Sequence, residues 1–224
     1  MRQALARYLA VLPALLLVAC GSSAAAATPG AAIPTPAADL PAIATGVQTA
    51  VFAGGCFWGV DAVFKHVKGV SRVVSGYAGG AAETADYGEV GTGRTGHAES
   101  VEVTYDPAIV SYGTLLKVFF TVAHDPTELN RQGPDTGPQY RSTIFVQNEA
   151  QRTAATSYIA TLTRAGVYRR PIVTTLEPLT KFYAAEAYHQ NYLALHPTQA
   201  YIVINDMPKL DVLKRTMPEL YVAR

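Results

Sequence analysis

One thiol of this chain lies where cysteine chemistry is expected. Cys56 stands between glycines in the segment 55–59, which reads GCFWG and holds the only tryptophan of the sequence. Residues 49–53 are apolar and β-prone, and apolar side chains recur at helical spacing over residues 60–67. Cys56 is therefore predicted at a strand-to-helix turn, where free backbone N–H groups and the helix dipole favour the nucleophilic thiolate. The alternative is a small buried cysteine without chemistry.

Glu99 is the first candidate for an acid. Residues 97–105 alternate as in a half-buried strand, which places Glu99 on the same face as Val101 and Val103. Desolvation on that face raises the pKa of a carboxyl group and keeps it protonated near neutrality, as a general acid requires. If the strand end were open to water, Glu99 would be an ordinary surface carboxylate.

Two loops add polar side chains that could reach the same place. Tyr87 lies in the segment ADYGEV, and Asp135 and Tyr140 lie in the segment GPDTGPQYRS, which leads into a strand. Loops held by a rigid scaffold are frequent positions for functional groups. The five histidines show no metal-ligand spacing such as HExxH, so no metal site is predicted.

These groups must be positioned by a mixed α and β domain. Further strands are predicted over residues 70–77, 97–105 and 141–146, and a helix follows Ser111 as its N-cap and ends before residue 125. The order strand, helix, strand, strand, helix, strand is that of a split βαβ unit. We predict an α+β fold, a two-layer sandwich with this ferredoxin-like core. Its C-terminal additions are a helix over 149–164, a strand over 171–177 and a short helix over 184–195, while roughly the last thirty residues, including 201–204, receive no assignment.

The N-terminal residues are typical of an exported protein. Arg2 and Arg7 precede an apolar run over residues 8–18, which is shorter than the roughly 20 residues that span a bilayer. The sequence LVAC followed by GSS resembles the lipobox of bacterial lipoproteins, which implies a signal peptide at 1–19 and lipid attachment at Cys20. Gly21 implies the outer membrane, with the protein facing the periplasm of the bacterial cell envelope. A plain signal peptide with an incidental cysteine is the alternative.

Composition limits the remaining possibilities. Residues 20–48 are rich in Ala, Pro, Ser, Thr and Gly and predict a disordered tether, so residues 49–224 form the one folded domain, expected as a monomer. A net charge of +1 without basic runs argues against nucleic-acid binding. The chain has only two cysteines, and a lipid on Cys20 would leave no internal disulfide. Contact with the membrane is expected through the lipid anchor only.

Several short motifs occur together in one order over roughly residues 50–195. They read GCFWG at 55–59, GYAGG at 76–80, TGHAE at 95–99, HDP at 124–126, QYRS at 139–142 and YHQ at 188–190. This set resembles the A-type peptide methionine sulfoxide reductases. The resemblance implies an enzyme that reduces the S epimer of methionine sulfoxide, in oxidised proteins and as the free amino acid.

The resemblance also implies roles for the residues around the thiol. Cys56 would be the nucleophile and would end as a sulfenic acid. Phe57 and Trp58 would form an apolar wall for the S-methyl group, and Glu99 would be the acid. These types suit a sulfoxide, because it carries a polar S–O group beside a methyl group.

The polar side of the site would come from the loops. By the same resemblance, Tyr87 and Tyr140 would donate hydrogen bonds to the sulfoxide oxygen, and Asp135 would complete the pocket. As Cys56 attacks the sulfur, charge develops on the oxygen, which the phenols and Glu99 would stabilise and protonate.

The sequence departs from the family in its thiols. Many members carry resolving cysteines near the C-terminus, whereas no cysteine follows Cys56 here. The expected donor is therefore an external thiol, from thioredoxin or a thioredoxin-like protein, and no bound cofactor is expected. Asp61 stands where a glutamate is often found in the family. The expected physiological role is repair of oxidised proteins in the cell envelope.

Two other functions fit part of the pattern. A cysteine hydrolase would pair Cys56 with a histidine such as His97 or His189. A lipid-anchored binding module would use Trp58 and the tyrosines as a cleft and leave Cys56 inert. Neither accounts for the whole ordered set of motifs.

Overall fold

The computed structural model describes residues 33–37, 39–40 and 46–224. The strands of these residues are β1 (Gln48–Gly54), β2 (Val70–Ala78), β3 (Ala98–Tyr105), β4 (Arg131–Gln132), β5 (Asp135–Thr136), β6 (Ser142–Val146), β7 (Thr175–Pro178) and β8 (Phe182–Ala184). The helices are α1 (Phe57–Lys65), α2 (Tyr87–Gly91), α3 (Tyr112–Val118), α4 (Glu149–Arg164), α5 (Tyr192–Leu195) and α6 (Met207–Thr216). Single wide or tight helical turns occupy Ala82–Thr84, Phe119–Ala123, Pro138–Tyr140, Ala187–His189 and Ile202–Asp206.

The predicted split βαβ core is confirmed by the sheet. A six-stranded sheet has the order β7-β6-β1-β3-β2-β8. The pairs from β6 across to β8 are all antiparallel, and the edge strand β7 joins parallel to β6. The units β1-α1-β2 and β3-α3-β6 therefore interleave, which gives the α+β architecture expected from the order of elements. The short strands β4 and β5 form a separate ribbon.

The main core lies between the sheet and its helices. Phe52 of β1 stacks on Phe64 of α1 and on Phe119 after α3, with ring centroids 5.0 Å apart in both pairs. The opposite side chains of β1 belong to a smaller cluster that includes Val51 and Phe145. Strand β1 is thus buried on both faces, and its C-terminal end is a rigid support for the residues that follow.

Three local predictions are wrong in detail. The loop expected before β3 contains the short helix α2. The side chain of Asp86 caps this helix by accepting a hydrogen bond from the N–H of Glu89. The strand expected over 171–177 is confined to Thr175–Pro178. The helix expected over 184–195 is divided, because Asn191 adopts a φ of 56°, a left-handed conformation through which an α-helix cannot continue.

Part of the predicted tether contacts the domain. Ile33 and Leu40 pack against the core. Tyr158 Oη donates to the carbonyl oxygen of Pro34 at 3.0 Å, and the N–H of Gly113 donates to Asp39 Oδ1 at 2.8 Å. The segment is therefore not free along its whole length, since its few larger apolar residues bury surface here.

The predicted signal peptide and the predicted lipid-attachment residue Cys20 lie outside the described residues. In the part of the chain that the structure describes, no helix combines the length and the apolar character needed to cross a membrane.

Candidate active site

A glycine turn at the end of β1 sets the position of the thiol. Gly55 has a φ of +89°, a conformation that favours glycine. A Cβ at this position would also lie 2.5 Å from the side chain of Gln132. Cys56 follows directly and precedes the first residue of α1. Its side chain is 8% exposed, so the predicted strand-to-helix position is found, but the thiol lies mostly below the surface.

Glu99 lies beside the thiol, on the buried face of β3. It is 2% exposed, and the backbone N–H of Phe57 donates to its Oε2 at 3.0 Å. Burial raises the pKa of Glu99 to about 8, although the N–H of Phe57 and a hydrogen bond with Cys56 oppose this shift. The carboxyl group is therefore protonated at neutral pH, as the strand pattern led us to expect.

The expected stabilisation of the Cys56 thiolate is not found in the free protein. Burial raises the pKa of Cys56 well above its usual value, and the charges of Glu99 and Asp206 raise it further. A hydrogen bond from the backbone N–H of Trp58 acts in the opposite direction but is outweighed. The prediction considered only the helix N-terminus, whereas loss of hydration and nearby carboxylates decide the outcome. Cys56 is thus a thiol that must lose its proton during the reaction.

Aromatic rings surround the side of the site next to α1. Trp58 stacks on Tyr192 with centroids 3.7 Å apart and an interplanar angle of 4°. Tyr201 meets the same indole edge-on at 5.8 Å, and Trp58 Nε1 donates to His189 Nδ1 at 3.2 Å. Phe57 is fully buried, 5.1 Å from the His189 ring. The predicted pair of Phe57 and Trp58 is therefore held in a fixed aromatic wall.

The two predicted phenols lie near enough to the thiol and the acid for their charges to act on them. Tyr87 is the first residue of α2, and its backbone N–H donates to Glu186 Oε1 at 2.8 Å. The pKa of Tyr87 is raised to about 12, mainly by burial and to a lesser extent by the charges of Glu99 and Cys56. The pKa of Tyr140 is also raised, mainly by burial and further by the charges of Glu99 and Asp135. Both phenols therefore keep their protons and can act as hydrogen-bond donors.

Asp135 reaches the site through a residue that the sequence did not single out. Tyr201 Oη donates to Asp135 Oδ2. Burial raises the pKa of Asp135, while this hydrogen bond and the charge of Lys209 lower it. The charges of Cys56, Glu99 and Asp135 act on one another or on the two phenols, so these predicted polar residues lie in one region of the domain.

The C-terminal segment supplies further residues that sequence reasoning missed. Asp206 is 1% exposed, and Lys209 Nζ donates to its Oδ1 at 3.1 Å. The charge of Asp206 acts on both Cys56 and Glu99. A signal was present in the sequence, because Pro208 near a helix start precedes Leu210 and Leu213 at helical spacing.

The histidines do not support the hydrolase alternative. His97 Nδ1 accepts from the N–H of Gly80, and its Nε2 donates to the carbonyl oxygen of Ala81. His189 is held by Trp58. Within residues 46–224, no histidine forms a hydrogen bond with Cys56 Sγ. Among the described residues, no three or more His, Cys, Asp or Glu side chains are grouped so that they could hold a metal ion.

A cysteine, a buried protonated carboxyl group and phenol donors on an α+β domain fit a cysteine-dependent enzyme, and the family match assigns it to the oxidoreductases. A family model described as peptide methionine sulfoxide reductase matches residues 48–220. The chain belongs to this family, as one of its A-type members.

Individual relatives agree with this assignment. Peptide methionine sulfoxide reductase MsrA 2 of Mesorhizobium japonicum is 62% identical over 178 residues, which cover 80% of this chain and 91% of the relative. The MsrA 2 of Synechocystis is 48% identical over 181 residues, which cover 80% of this chain and 85% of the relative.

Solved structures agree as well. The reduced form of Mxr1 from Saccharomyces cerevisiae has a TM-score of 0.61 at 33% identity. The matched region covers 70% of this chain and 90% of the Mxr1 chain. Methionine sulfoxide reductase A of Corynebacterium diphtheriae has a TM-score of 0.59 at 38% identity. The matched region covers 68% of this chain and 76% of the Corynebacterium chain. The protein is thus an oxidoreductase that reduces methionine sulfoxide.

Proposed function

We propose that this enzyme reduces the S epimer of methionine sulfoxide, in oxidised proteins and as the free amino acid, through a sulfenic acid on Cys56. The observation that carries the proposal is the pairing of two buried groups, the Cys56 thiol and the Glu99 carboxyl, whose pKa values are both raised by burial. Such a pair can move a proton from sulfur to a substrate oxygen without an outside acid or base.

The chemistry follows from the positions of these groups. The S-methyl group packs against Phe57 and Trp58, and the sulfoxide oxygen accepts hydrogen bonds from Tyr87 and Tyr140. Glu99 gives its proton to this oxygen and takes the proton of Cys56 Sγ, which attacks the sulfur of the substrate. The attack forms an S–S bond between Cys56 and the substrate, Glu99 passes the second proton to the oxygen, and the S–O bond breaks with loss of water. Water then attacks Cys56 Sγ, the S–S bond breaks, and Cys56 remains as a sulfenic acid while Glu99 regains its proton. Methionine leaves with two electrons gained, and the cysteine has lost two.

Asp135 has a supporting role in this proposal. It accepts a hydrogen bond from Tyr201, whose ring contacts Trp58 edge-on. Asp135 therefore connects the polar side of the pocket to its aromatic wall and holds both in place.

The second half of the cycle needs a thiol from outside the chain. The sequence contains only Cys20 and Cys56, and the former is the proposed lipid site. Thioredoxin or a thioredoxin-like protein would reduce the sulfenic acid through a mixed disulfide, and no bound cofactor takes part.

The epimer preference is tested with separated S and R epimers of a methionine sulfoxide peptide, with dithiothreitol as reductant. We expect the S epimer to be consumed and the R epimer to remain. Consumption of both epimers at similar rates, measured by chromatography, would contradict the proposal. Free S-methionine sulfoxide in a parallel assay measures how far the site depends on flanking peptide.

The cellular part of the proposal is a monomeric lipoprotein that repairs oxidised proteins in the envelope, facing the periplasm from the outer membrane. It is supported by the LVAC sequence before Gly21. We expect Cys20→Ser to move the protein from the membrane fraction to the soluble fraction, because the acyl chains are lost. The matched control Ser22→Ala should stay in the membrane fraction. Mass spectrometry showing an unmodified Cys20 in the native protein would contradict this part.

A further inference from the structure

Glu186 is a carboxylate that the proposed chemistry does not use, although both of its oxygens accept hydrogen bonds. The backbone N–H of Tyr87 donates to Oε1 at 2.8 Å, and Tyr77 Oη donates to Oε2 at 2.8 Å. Tyr87 lies 99 residues before Glu186 in the chain, and Tyr77 lies 109 residues before it. The Glu186 side chain therefore connects two distant segments to the turn that it precedes, Ala187–His189.

The contact with Tyr87 fixes the start of a very short helix. Tyr87 begins α2, which has only five residues, and the first N–H groups of a helix have no partner inside it. The side chain of Asp86 caps the N–H of Glu89, whereas Glu186 accepts from the N–H of Tyr87 itself. The Tyr87 side chain is 37% exposed, and its ring centroid lies 4.4 Å from that of His189. Because this ring is not enclosed by the core, its position depends on the anchored backbone.

The contact with Tyr77 fixes Glu186 to the strands that carry the acid. Tyr77 is fully buried on β2 and is the direct partner of Glu99 on β3. Its ring lies 5.9 Å from that of Phe57. Directly opposed residues of antiparallel strands have neighbouring side chains on one face of the sheet. Glu186 therefore joins the start of α2 to the part of the core next to Glu99.

Glu186 is ionised at neutral pH, which strengthens both contacts. Partial burial acts to raise the pKa of its carboxyl group, but hydrogen bonds, led by that from the N–H of Tyr87, outweigh this effect and lower the pKa. An ionised carboxylate only accepts hydrogen bonds, and such charge-assisted bonds are stronger than neutral ones. One charged acceptor thus holds both tyrosine donors.

We propose that Glu186 is a positioning residue of the reaction, which places the phenol of Tyr87 for its hydrogen bond to the sulfoxide oxygen. This inference rests on the proposed function, since it needs Tyr87 to be that donor. A donor stabilises the developing charge only at hydrogen-bond distance from the oxygen, and a displacement of about 1 Å can lower a rate by about 10²-fold. Glu186 acts through Tyr87 and does not itself contact the substrate.

Two substitutions at Glu186 weaken this anchor to different degrees. Glu186→Ala removes both acceptor oxygens, and we expect it to slow single-turnover methionine formation about tenfold in the full chain at saturating S-sulfoxide peptide. Glu186→Gln keeps one oxygen that can accept from the N–H of Tyr87, so its rate should lie between those of Glu186→Ala and the parent. Glu89→Gln is the matched control, because Glu89 is an exposed carboxylate on α2 itself. Its rate should equal that of the parent.

A double-mutant cycle shows whether the effect passes through the phenol. Tyr87→Phe keeps the backbone N–H that Glu186 binds but removes the donor hydroxyl. In that background Glu186→Ala should change the rate by less than about twofold, because the group that it displaces is already absent. The pH profile is a second readout. Since Glu186→Ala leaves Glu99 in place, its remaining rate should still fall as the pH rises through about 8.

Three results would overturn the inference. The first is a parent rate for Glu186→Ala. The second is an equal loss with and without the Tyr87 hydroxyl, because Glu186 would then act through another group. The third is a fall of the rate that moves away from pH 8, because Glu186 would then act on Glu99. If melting temperatures show that Glu186→Ala does not fold, the same cycle with Glu186→Gln decides, and no loss or equal losses there would overturn the inference as well.

Failure of the proposed function has separate signs. If the parent protein formed no methionine in a single turnover, the proposed function itself would fail. If the parent were active and Tyr87→Phe kept its rate, Tyr87 would not be the donor. The inference about Glu186 would then be overturned, while the reaction at Cys56 would stand.

Discussion

Replacing Cys56 by serine is expected to abolish methionine formation, with kcat/KM falling by at least about 10⁴-fold. The hydroxyl group of serine keeps the size of the side chain but is a far weaker nucleophile toward sulfur than a thiolate. Glu99 cannot compensate, because it only transfers protons in this step and cannot supply the two electrons that reduce the sulfoxide. The measurement is the yield of methionine from the S-sulfoxide peptide, both in a single turnover and with excess dithiothreitol.

The other cysteine supplies the matched control. Cys20→Ser keeps Cys56 and should retain full activity with dithiothreitol, since Cys20 precedes the folded domain and is proposed to carry a lipid. Any substantial methionine formation by Cys56→Ser would assign the chemistry to another group. Loss of activity in Cys20→Ser would instead make Cys20 a resolving thiol and would contradict the external-thiol cycle.

Local sequence rules were sufficient for the residues around β1 and β3. Gly55 allows the turn that ends β1, so the thiol had to stand at the start of a helix. Alternation along β3 placed Glu99 with Val101 on the buried face, and burial then determined its protonation. Both conclusions depend on neighbours within a few residues along the chain, where the period of a strand or a turn signal determines geometry.

The contribution of the C-terminal segment depends on distant contacts instead. Tyr201 meets Asp135 across 66 residues of sequence, and Asp206 lies next to Gly59 of α1. No periodic pattern of the segment itself points to these partners. The spacing of Leu210 and Leu213 could have predicted α6 but not which side of the domain it covers.

The protonation of Cys56 shows the same limit. A helix N-terminus favours a thiolate by its local dipole, but the surrounding carboxylates and the loss of water act in the opposite direction. Which effect is larger depends on packing that a one-dimensional pattern does not contain. The result also changes the chemistry, because a neutral thiol needs a partner that takes its proton when the substrate arrives.

Glu99 is that partner, and Glu99→Gln is expected to slow single-turnover methionine formation by about 10²- to 10⁴-fold. The amide keeps the shape of the carboxyl group and can still donate a hydrogen bond, but it can neither give a proton to the sulfoxide oxygen nor take one from Cys56. Glu102→Gln is the matched control, since Glu102 lies on the same strand and is only partly buried. It should retain the parent rate.

The pH profile tests the same role independently. Because burial raises the pKa of Glu99 to about 8, the required protonated form is present at neutral pH and is lost as the pH rises through about 8. The single-turnover rate of the parent protein should therefore fall above that pH, and the fall should be absent from the low residual rate of Glu99→Gln. Ionisation of Cys56 cannot produce this fall, because its pKa lies higher and because a thiolate would increase the rate. A parent rate that stays level or rises through pH 8, measured without reductant, would show that Glu99 is not the acid.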